Sequence, residues 1–259
     1  MGHYAVAWLE DEDRSGAETG IAAVADAAMI ETSGDTLKLR AGRNRIALMY
    51  GWTEFTAYPI DQLRLNAPSY PLKNIRMSRG VALNFDSANL VYDYRDNPIT
   101  MVPGEAITSY GFEDDEGGVA HYLGVVAIVT DRPIPKGPAP EYDTVVQGTA
   151  TSATAAVWQA LTITLRDTLP AGYYDFYGAD VVGATVVAAR FIIPGLNDRP
   201  AVIPRCREQD ALHPFSQYWG APVRFAYPGN LPVLNIIETS GAGTVKVEMY
   251  LKKVKSGLP

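Results

Sequence analysis

Apolar and polar residues alternate with a period of two along much of this chain. In residues 244–253, Val245, Val247, Met249 and Leu251 are separated by Lys246, Glu248, Tyr250 and Lys252. That spacing predicts a strand with one face on a core and one face toward water. Residues 122–129 are apolar on both faces apart from their start, which predicts a strand covered on both sides. Shorter runs of the same kind lie at 45–52, 63–65, 80–85, 89–94 and 99–102, then at 157–165, 173–182, 185–193, 202–205, 223–226 and 233–238. Turn formers fall between them: Ala67-Pro68, Asp86-Ser87, Arg95-Asp96-Asn97-Pro98, Pro103-Gly104 and Asp114 to Gly118. Short strands every 8 to 14 residues predict an all-β chain of sandwiches.

Helical spacing occurs in two places. Residues 19–30 set Ile21, Val24, Ala25, Ala28 and Met29 at helix intervals, and 208–212 has room for one turn before Pro214. The first segment fits a strand equally well, because 21–24 has no strong cap. The expectation is therefore an all-β fold with few short helices.

One motif recurs. Leu39-Arg40-Ala41-Gly42 opens a strand-rich block, and 130 positions later Leu169-Pro170-Ala171-Gly172 opens another. Each block runs on to a terminal strand, at 119–130 and 243–254. Between the blocks, four prolines in residues 133–140 forbid a regular ladder and favour a stiff, extended connector. The expected organisation is an N-terminal sandwich over 1–132, a Pro-rich linker over 133–140 and a C-terminal sandwich over 141–259. Two units of about 130 residues suit the ordinary domain size.

Composition narrows the function. Of 259 residues, 47% are hydrophobic and 20% charged, an ordinary globular balance, and 18 Pro with 23 Gly agree with many turns. Residues 1–139 hold 12 Lys/Arg against 19 Asp/Glu, a net of −7, whereas 140–259 hold 10 against 10. Neither half has the basic stripe that releases counterions from phosphates, so sequence-specific nucleic-acid binding is not expected. Cys206 is the only cysteine, which excludes an internal disulfide and a Cys-based zinc site. No secretory signal is visible at Met1 to Tyr4, and Val6 breaks the myristoylation pattern at Gly2. Apolar runs stop short of the ~20 residues that span a bilayer, so a soluble chain is expected.

Candidate chemistry is sparse. His3, His121 and His213 form no metal-ligand pair, and the acidic runs Glu10 to Asp13 and Glu113 to Glu116 lack the alternating pattern that wraps Ca²⁺. Glu54, Asp61, Asp175 and Asp180 are carboxylates of the kind glycosidases pair, but sequence does not set their separation. Ser109 and Ser216 lie in no nucleophile elbow, and Gly51 and Gly178 in no phosphate loop. No catalytic, cofactor or metal residue is assigned, no cofactor is expected, and the chain does not read as an enzyme. Tyr173, Tyr174, Phe176 and Tyr177 cluster on one element, and Phe215, Tyr218 and Trp219 in one loop. They suit core or interface packing, with a sugar-stacking platform as the competing use.

The paired Leu-x-Ala-Gly turns, the paired terminal strands and the connector from Pro133 to Pro140 together resemble the double jelly-roll major capsid proteins of tailless icosahedral viruses of bacteria and archaea. The resemblance is one of architecture and spans nearly the whole chain. It implies two tandem antiparallel β-sandwiches of jelly-roll type and a homotrimer in which six jelly rolls make a pseudo-hexagonal capsomer. Its partners would be its own copies, neighbouring capsomers and other virion proteins, in a virion assembled from chains made in the host cytoplasm. Lys252, Lys253 and Lys255 would then be available to an internal membrane or to the genome. The Ala-rich 19–30 has no counterpart in the second half. The alternative reading is a carbohydrate-binding β-sandwich module of a cell-surface or phage fibre protein.

Overall fold

The computed structural model describes residues 3–12, 18–26, 31–53, 62–70, 74–76, 91–112, 121–134, 142–196, 199–205, 222–241 and 243–254. The first half contains β1 (His3–Glu12), β2 (Thr19–Ile21), β3 (Glu31–Ser33), β4 (Thr36–Lys38), β5 (Arg45–Thr53), β6 (Gln62–Asn66), β7 (Asn74–Arg76), β8 (Val91–Asp93), β9 (Ile99–Thr100), β10 (Ala106–Phe112) and β11 (His121–Thr130). The second contains β12 (Thr144–Thr151), β13 (Gln159–Leu161), β14 (Thr164–Leu165), β15 (Gly172–Val182), β16 (Val186–Ile192), β17 (Ala201–Val202), β18 (Val223–Tyr227), β19 (Val233–Glu238) and β20 (Thr244–Lys253).

These strands form four sheets. Sheet I has the order β3-β4-β10-β6-β7 with β2 also on β10, and sheet II the order β1-β11-β5-β8 with β9 also on β5. Sheet III runs β13-β19-β16-β17 and sheet IV β14-β12-β20-β15-β18. If β2 and β4, which lie end to end along β10, count as one interrupted strand and β8 with β9 as another, and the β3 edge is set aside, the first half has eight strands. Sheet II then reads 1-8-3-6 and sheet I reads 2-7-4-5. With β14 set aside, sheets IV and III repeat those two orders. Each half thus carries the strand order of a jelly roll, two sheets closed over one core. All ladders between the named strands are antiparallel.

Residue alternation explains the layering. On β1, Tyr4, Val6 and Trp8 point into the core shared with sheet I, while Ala5, Ala7 and Leu9 point the other way. On β11, Leu123, Val125, Ala127 and Val129 join the first set, and Val126 and Ile128 the second. The strand expected to be covered on both sides lies in a sheet that is. What covers the second face is sheet III, through Val187, Ala188, Ala201, Ile203 and Ile237. The layers therefore run I, II, III, IV. A third core, with Phe176, Phe191, Phe225, Leu234 and Met249, lies between III and IV.

Both Leu-x-Ala-Gly motifs lead into the third strand of their half, β5 and β15. Leu39 and Leu169 are buried, each in its own core. Gly42 has φ +81° at the first corner and Gly172 has φ +153° at the second, values that suit a residue without Cβ.

Among the described residues no helix occurs, so the few short helices expected are absent there. Residues 19–26 are extended because neighbouring edges supply their backbone partners. Gly20 stands opposite Tyr110 of β10, Leu9 N donates to Ala22 O at 3.0 Å, and Val24 N donates to Ala7 O at 2.8 Å. Groups satisfied across a sheet leave nothing for an i→i−4 ladder to gain. The turn expected at 208–212 lies outside the described residues.

Candidate functional site

The sheet II–III boundary is where the two halves touch, and it is built around a buried cation. Sheet II presents Ala5, Ala7, Leu48, Tyr50, Trp52 and Val126 to it. Two irregularities help: the β5–β11 register shifts between Ile128 and Val129, and the β16–β19 register shifts between Val186 and Ala188. Consecutive residues, Ala47 with Leu48 and Val187 with Ala188, thereby face the same apolar layer. Tyr50 donates its hydroxyl to Val187 O at 3.0 Å, joining β5 to β16 across the boundary.

Arg190 of β16 is fully buried. Its Nε donates to Asn235 Oδ1 at 2.6 Å and its Nη1 to Ala5 O of β1 at 3.0 Å. The guanidinium lies 3.6 Å from the centroid of the Trp158 ring. Nη1 also stands 2.6 Å from Asp26 Oδ2, and Arg199 Nη1 lies 3.4 Å from Asp26 Oδ1. Burial lowers the Arg190 pKa to about 10 against the opposing pull of Asp26, so the cation persists at neutral pH. Groups so enclosed hold two sheets in one relation; they present nothing to a substrate.

The outer face of sheet IV is the second candidate surface. Gln147, Glu248 and Asp180 stand opposite one another on β12, β20 and β15. Gln147 Nε2 donates to Glu248 Oε1 at 2.7 Å, and Arg166 Nη1 donates to Gln147 Oε1 at 3.1 Å. Asp180 accepts both arms of Arg205, Nε at 2.9 Å and Nη2. Burial opposes the Arg205 charge, but hydrogen bonding and charge from Asp180 outweigh it and hold the pKa above the ordinary arginine value. A recess of about 460 Å³ opens here, lined by Thr149, Arg166, Val182, Arg205, Lys246 and Glu248 among others. Further along the face, Arg224 Nε donates to Asp175 Oδ1 at 2.8 Å.

Those residues singled out in sequence that the structure describes are spread over several sheets. Asp175 and Asp180 are each occupied by an arginine, and Ser109 is buried within sheet I. Gly51 and Gly178 are strand residues. His3 and His121 stand opposite Thr130 and Glu12 at the two ends of the β1–β11 ladder. Glu10, at the head of the first acidic run, accepts from Ala22 N at 2.8 Å. The aromatic cluster divides, with Tyr174 and Phe176 in the core, Tyr177 half-buried and Tyr173 59% exposed. Lys252 is half-buried and Lys253 exposed. Glu54, Asp61, Glu113 to Glu116, Cys206, His213, Phe215, Ser216, Tyr218, Trp219 and Lys255 lie outside the described residues. Among the described residues no group of three or more His, Cys, Asp or Glu is placed to hold a metal ion, and no helix is long and apolar enough to cross a membrane.

Arg190, Asp26, Glu238 and Arg205 did not emerge from the sequence as functional. The available signal was an arginine inside the apolar run 185–193 and a glutamate closing the apolar run 233–238, since such residues are rarely buried without a partner.

No family model matches the chain, and no curated protein matches it. Among solved structures, the major capsid protein P2 from bacteriophage PM2 is similar over 98% of this chain and 99% of that one, at 9% identity and a TM-score of 0.27, a likeness of architecture.

Proposed function

We propose that this chain is a structural virion protein, the major capsid protein of an icosahedral shell, assembled as trimeric pseudo-hexagonal capsomers. The observation that carries the reading is the repeated strand order, 1-8-3-6 over 2-7-4-5, with the 1-8-3-6 sheet of the first half packed on the 2-7-4-5 sheet of the second. That contact is heterologous, joining unlike faces, and contacts of this kind generate rings when the rotation closes. Its repetition between copies sets sheet IV of one chain against sheet I of the next. Three chains then supply six sandwiches. On this reading residues 1–132 and 141–259 are the two units and 133–140 the strap between them.

The neighbouring partners are other capsomers and other virion proteins, and the protein resides in the virion after synthesis in the host cytoplasm. Lys252, Lys253 and Lys255 are the basic residues available to an internal membrane or genome. Its role is mechanical and involves no catalysis. Light scattering after size exclusion should give three times the 28.1 kDa chain mass. A monomer at micromolar concentration overturns the capsomer.

One observation favours the second reading, a carbohydrate-binding module of a fibre or cell surface: the exposed ring of Tyr173 stands on the outer face of sheet IV. Aromatic rings of this kind stack on sugars as well as on proteins. Binding to a glycan array that is lost in Tyr173→Ala supports it, and silence on the array removes it.

A further inference from the structure

At one end of the second sandwich a carboxyl group closes the core. Glu238 is the last residue of β19 and follows Leu234 and Ile236 on the face toward sheet IV, and it is fully buried. Neither of its side-chain oxygens has a hydrogen-bond partner. Three connections meet around it: 152–158 after β12, 183–185 between β15 and β16, and, between β19 and β20, residues 239–241 with Gly243. The backbone ties among them are dense. Ser152 N donates to Gly243 O at 3.0 Å, Gly243 N to Ser152 Oγ at 2.9 Å, Thr239 N to Thr185 O at 3.0 Å, and Ala156 N to Glu238 O at 2.8 Å.

Gly243 shows how closely the oxygens approach. A Cβ placed on it stands 3.3 Å from Glu238 Oε2, 3.4 Å from Ser152 Oγ and 3.8 Å from Thr185 Oγ1. Three oxygens, one from the end of β19 and two from the connections, thus surround one small space. Ala156 adds tension on the 152–158 connection, with φ +57°, a conformation disfavoured for a residue carrying a Cβ.

We propose that Glu238 is a proton-operated latch: the neutral acid holds the 152–158 and 183–185 connections, residues 239–241 and Gly243 closed over the core, and loss of its proton to solvent releases them. The reason is chemical. A neutral carboxyl has an O–H to offer the hydroxyls of Ser152 or Thr185, whereas a carboxylate in the same place is a buried charge without a counter-ion. The groups facing it are Ser152, Gln159 and Thr185, none of which is ionisable near neutrality. Burial accordingly raises the Glu238 pKa, and the polar side chains of Ser152, Gln159 and Thr185 beside it oppose the rise without cancelling it.

The sign follows from linkage. The folded state keeps the proton to higher pH than the unfolded chain does. The stabilisation is therefore complete below the ordinary glutamate range and is lost as pH rises through the raised value. The latch lies within one sandwich and owes nothing to assembly.

Hydrogen exchange of the 152–158 and 239–243 peptides, corrected for intrinsic rates between about pH 5 and about pH 8, reads the latch directly. Opening should increase by up to about tenfold for each pH unit inside the window in the native chain, and Glu238→Gln, which stays neutral, should flatten the profile. Constant protection in the native chain, or an identical profile in Glu238→Gln, overturns the proposal. Restoration of protection by calcium at about pH 8 also overturns it, because the carboxylate would then be a cation ligand. If Glu238→Gln does not fold, a titration of ¹³C-carboxyl glutamate in the native chain decides. One resonance titrating well above the others supports the latch, and all titrating together removes it.

Discussion

Arg190 Nη1 and Asp26 Oδ2 stand 2.6 Å apart, yet they come from different halves of the chain. Asp26 follows β2, and Arg190 sits in the middle of β16. Removing one partner of a buried pair leaves an uncompensated charge, which costs about 3–5 kcal/mol, whereas replacing both by apolar groups of similar volume is close to neutral. Asp26→Ala is therefore expected to destabilise by about 3 kcal/mol, at the lower end because Trp158, Asn235 and Ala5 O still contact the guanidinium. Arg190→Met with Asp26→Leu should recover most of that loss. Urea denaturation of Asp26→Leu, Arg190→Met and the double variant forms the cycle that checks it.

Tyr50→Phe is a milder probe of the same boundary. It deletes the 3.0 Å bond to Val187 O and keeps the ring. A buried carbonyl left without its donor costs about 1–3 kcal/mol. The loss should appear as a lower urea midpoint with an unchanged slope, since the area exposed on unfolding is the same. A midpoint equal to that of the native chain means water replaces the hydroxyl.

How far the sequence reaches can be seen in β20 and β16. In β20, Val245, Val247, Met249 and Leu251 are all buried, while Lys246 is exposed and Glu248 and Lys252 are half-buried, as alternation predicts. Tyr250 departs from the pattern: it is buried on the outer face because Tyr142 packs on it, with ring centroids 4.8 Å apart. Strand periodicity reports a residue's face but not what a distant segment lays over it. In β16 the limit is stronger. Residues 186–191 are all buried, so no alternation shows that Ala189 and Phe191 face one core while Val187, Ala188 and Arg190 face the other boundary. The meeting of Arg190 with Asp26 depends on how two sandwiches stack, a relation 164 residues apart in sequence that no local pattern encodes. Between the helix and the strand that the Ala-rich segment allowed, its described residues 19–26 take the extended form for the same reason, since their partners lie on β1 and β10.

Gly124 tests the central pairing of sheet II. A Cβ there stands 2.3 Å from Trp8 O, a backbone atom that cannot move without parting β1 from β11. Gly124→Ala should destabilise by more than about 3 kcal/mol, in the range reserved for core disruption. Gly104→Ala is the control. Its φ is +77° and nothing lies within 4 Å of the new carbon, so the cost is the conformational one alone, about 1 kcal/mol. Thermal unfolding of both should separate a clash from a dihedral penalty, and equal losses would contradict the tight β1–β11 approach.

Tyr4 provides a pH-dependent test with a known sign. Its side chain is fully buried in the core between sheets I and II, and its hydroxyl has no hydrogen-bond partner. Burial pushes its pKa up to about 12, with Arg43, which lies 5.4 Å from the ring centroid, pulling the other way. Between the ordinary value of 10.0 and about 12 the folded chain holds a proton that the unfolded chain has released. Stability contributed by the neutral phenol is thus intact below pH 10.0 and falls as pH rises toward about 12. At about pH 11 the loss amounts to roughly 1.4 kcal/mol. Tyr4→Phe removes the titrating group and no hydrogen bond, so it should match the native chain within about 0.5 kcal/mol near neutrality. Arg190 titrates in the same region in both proteins, and since Tyr4 is the smallest of the influences on it, most of its effect cancels in the difference between them. Urea midpoints at about pH 9 and about pH 11 should therefore fall further in the native chain than in Tyr4→Phe. Parallel losses would mean that the phenol ionises in the folded state as readily as in water, and that the core between sheets I and II admits solvent at Tyr4.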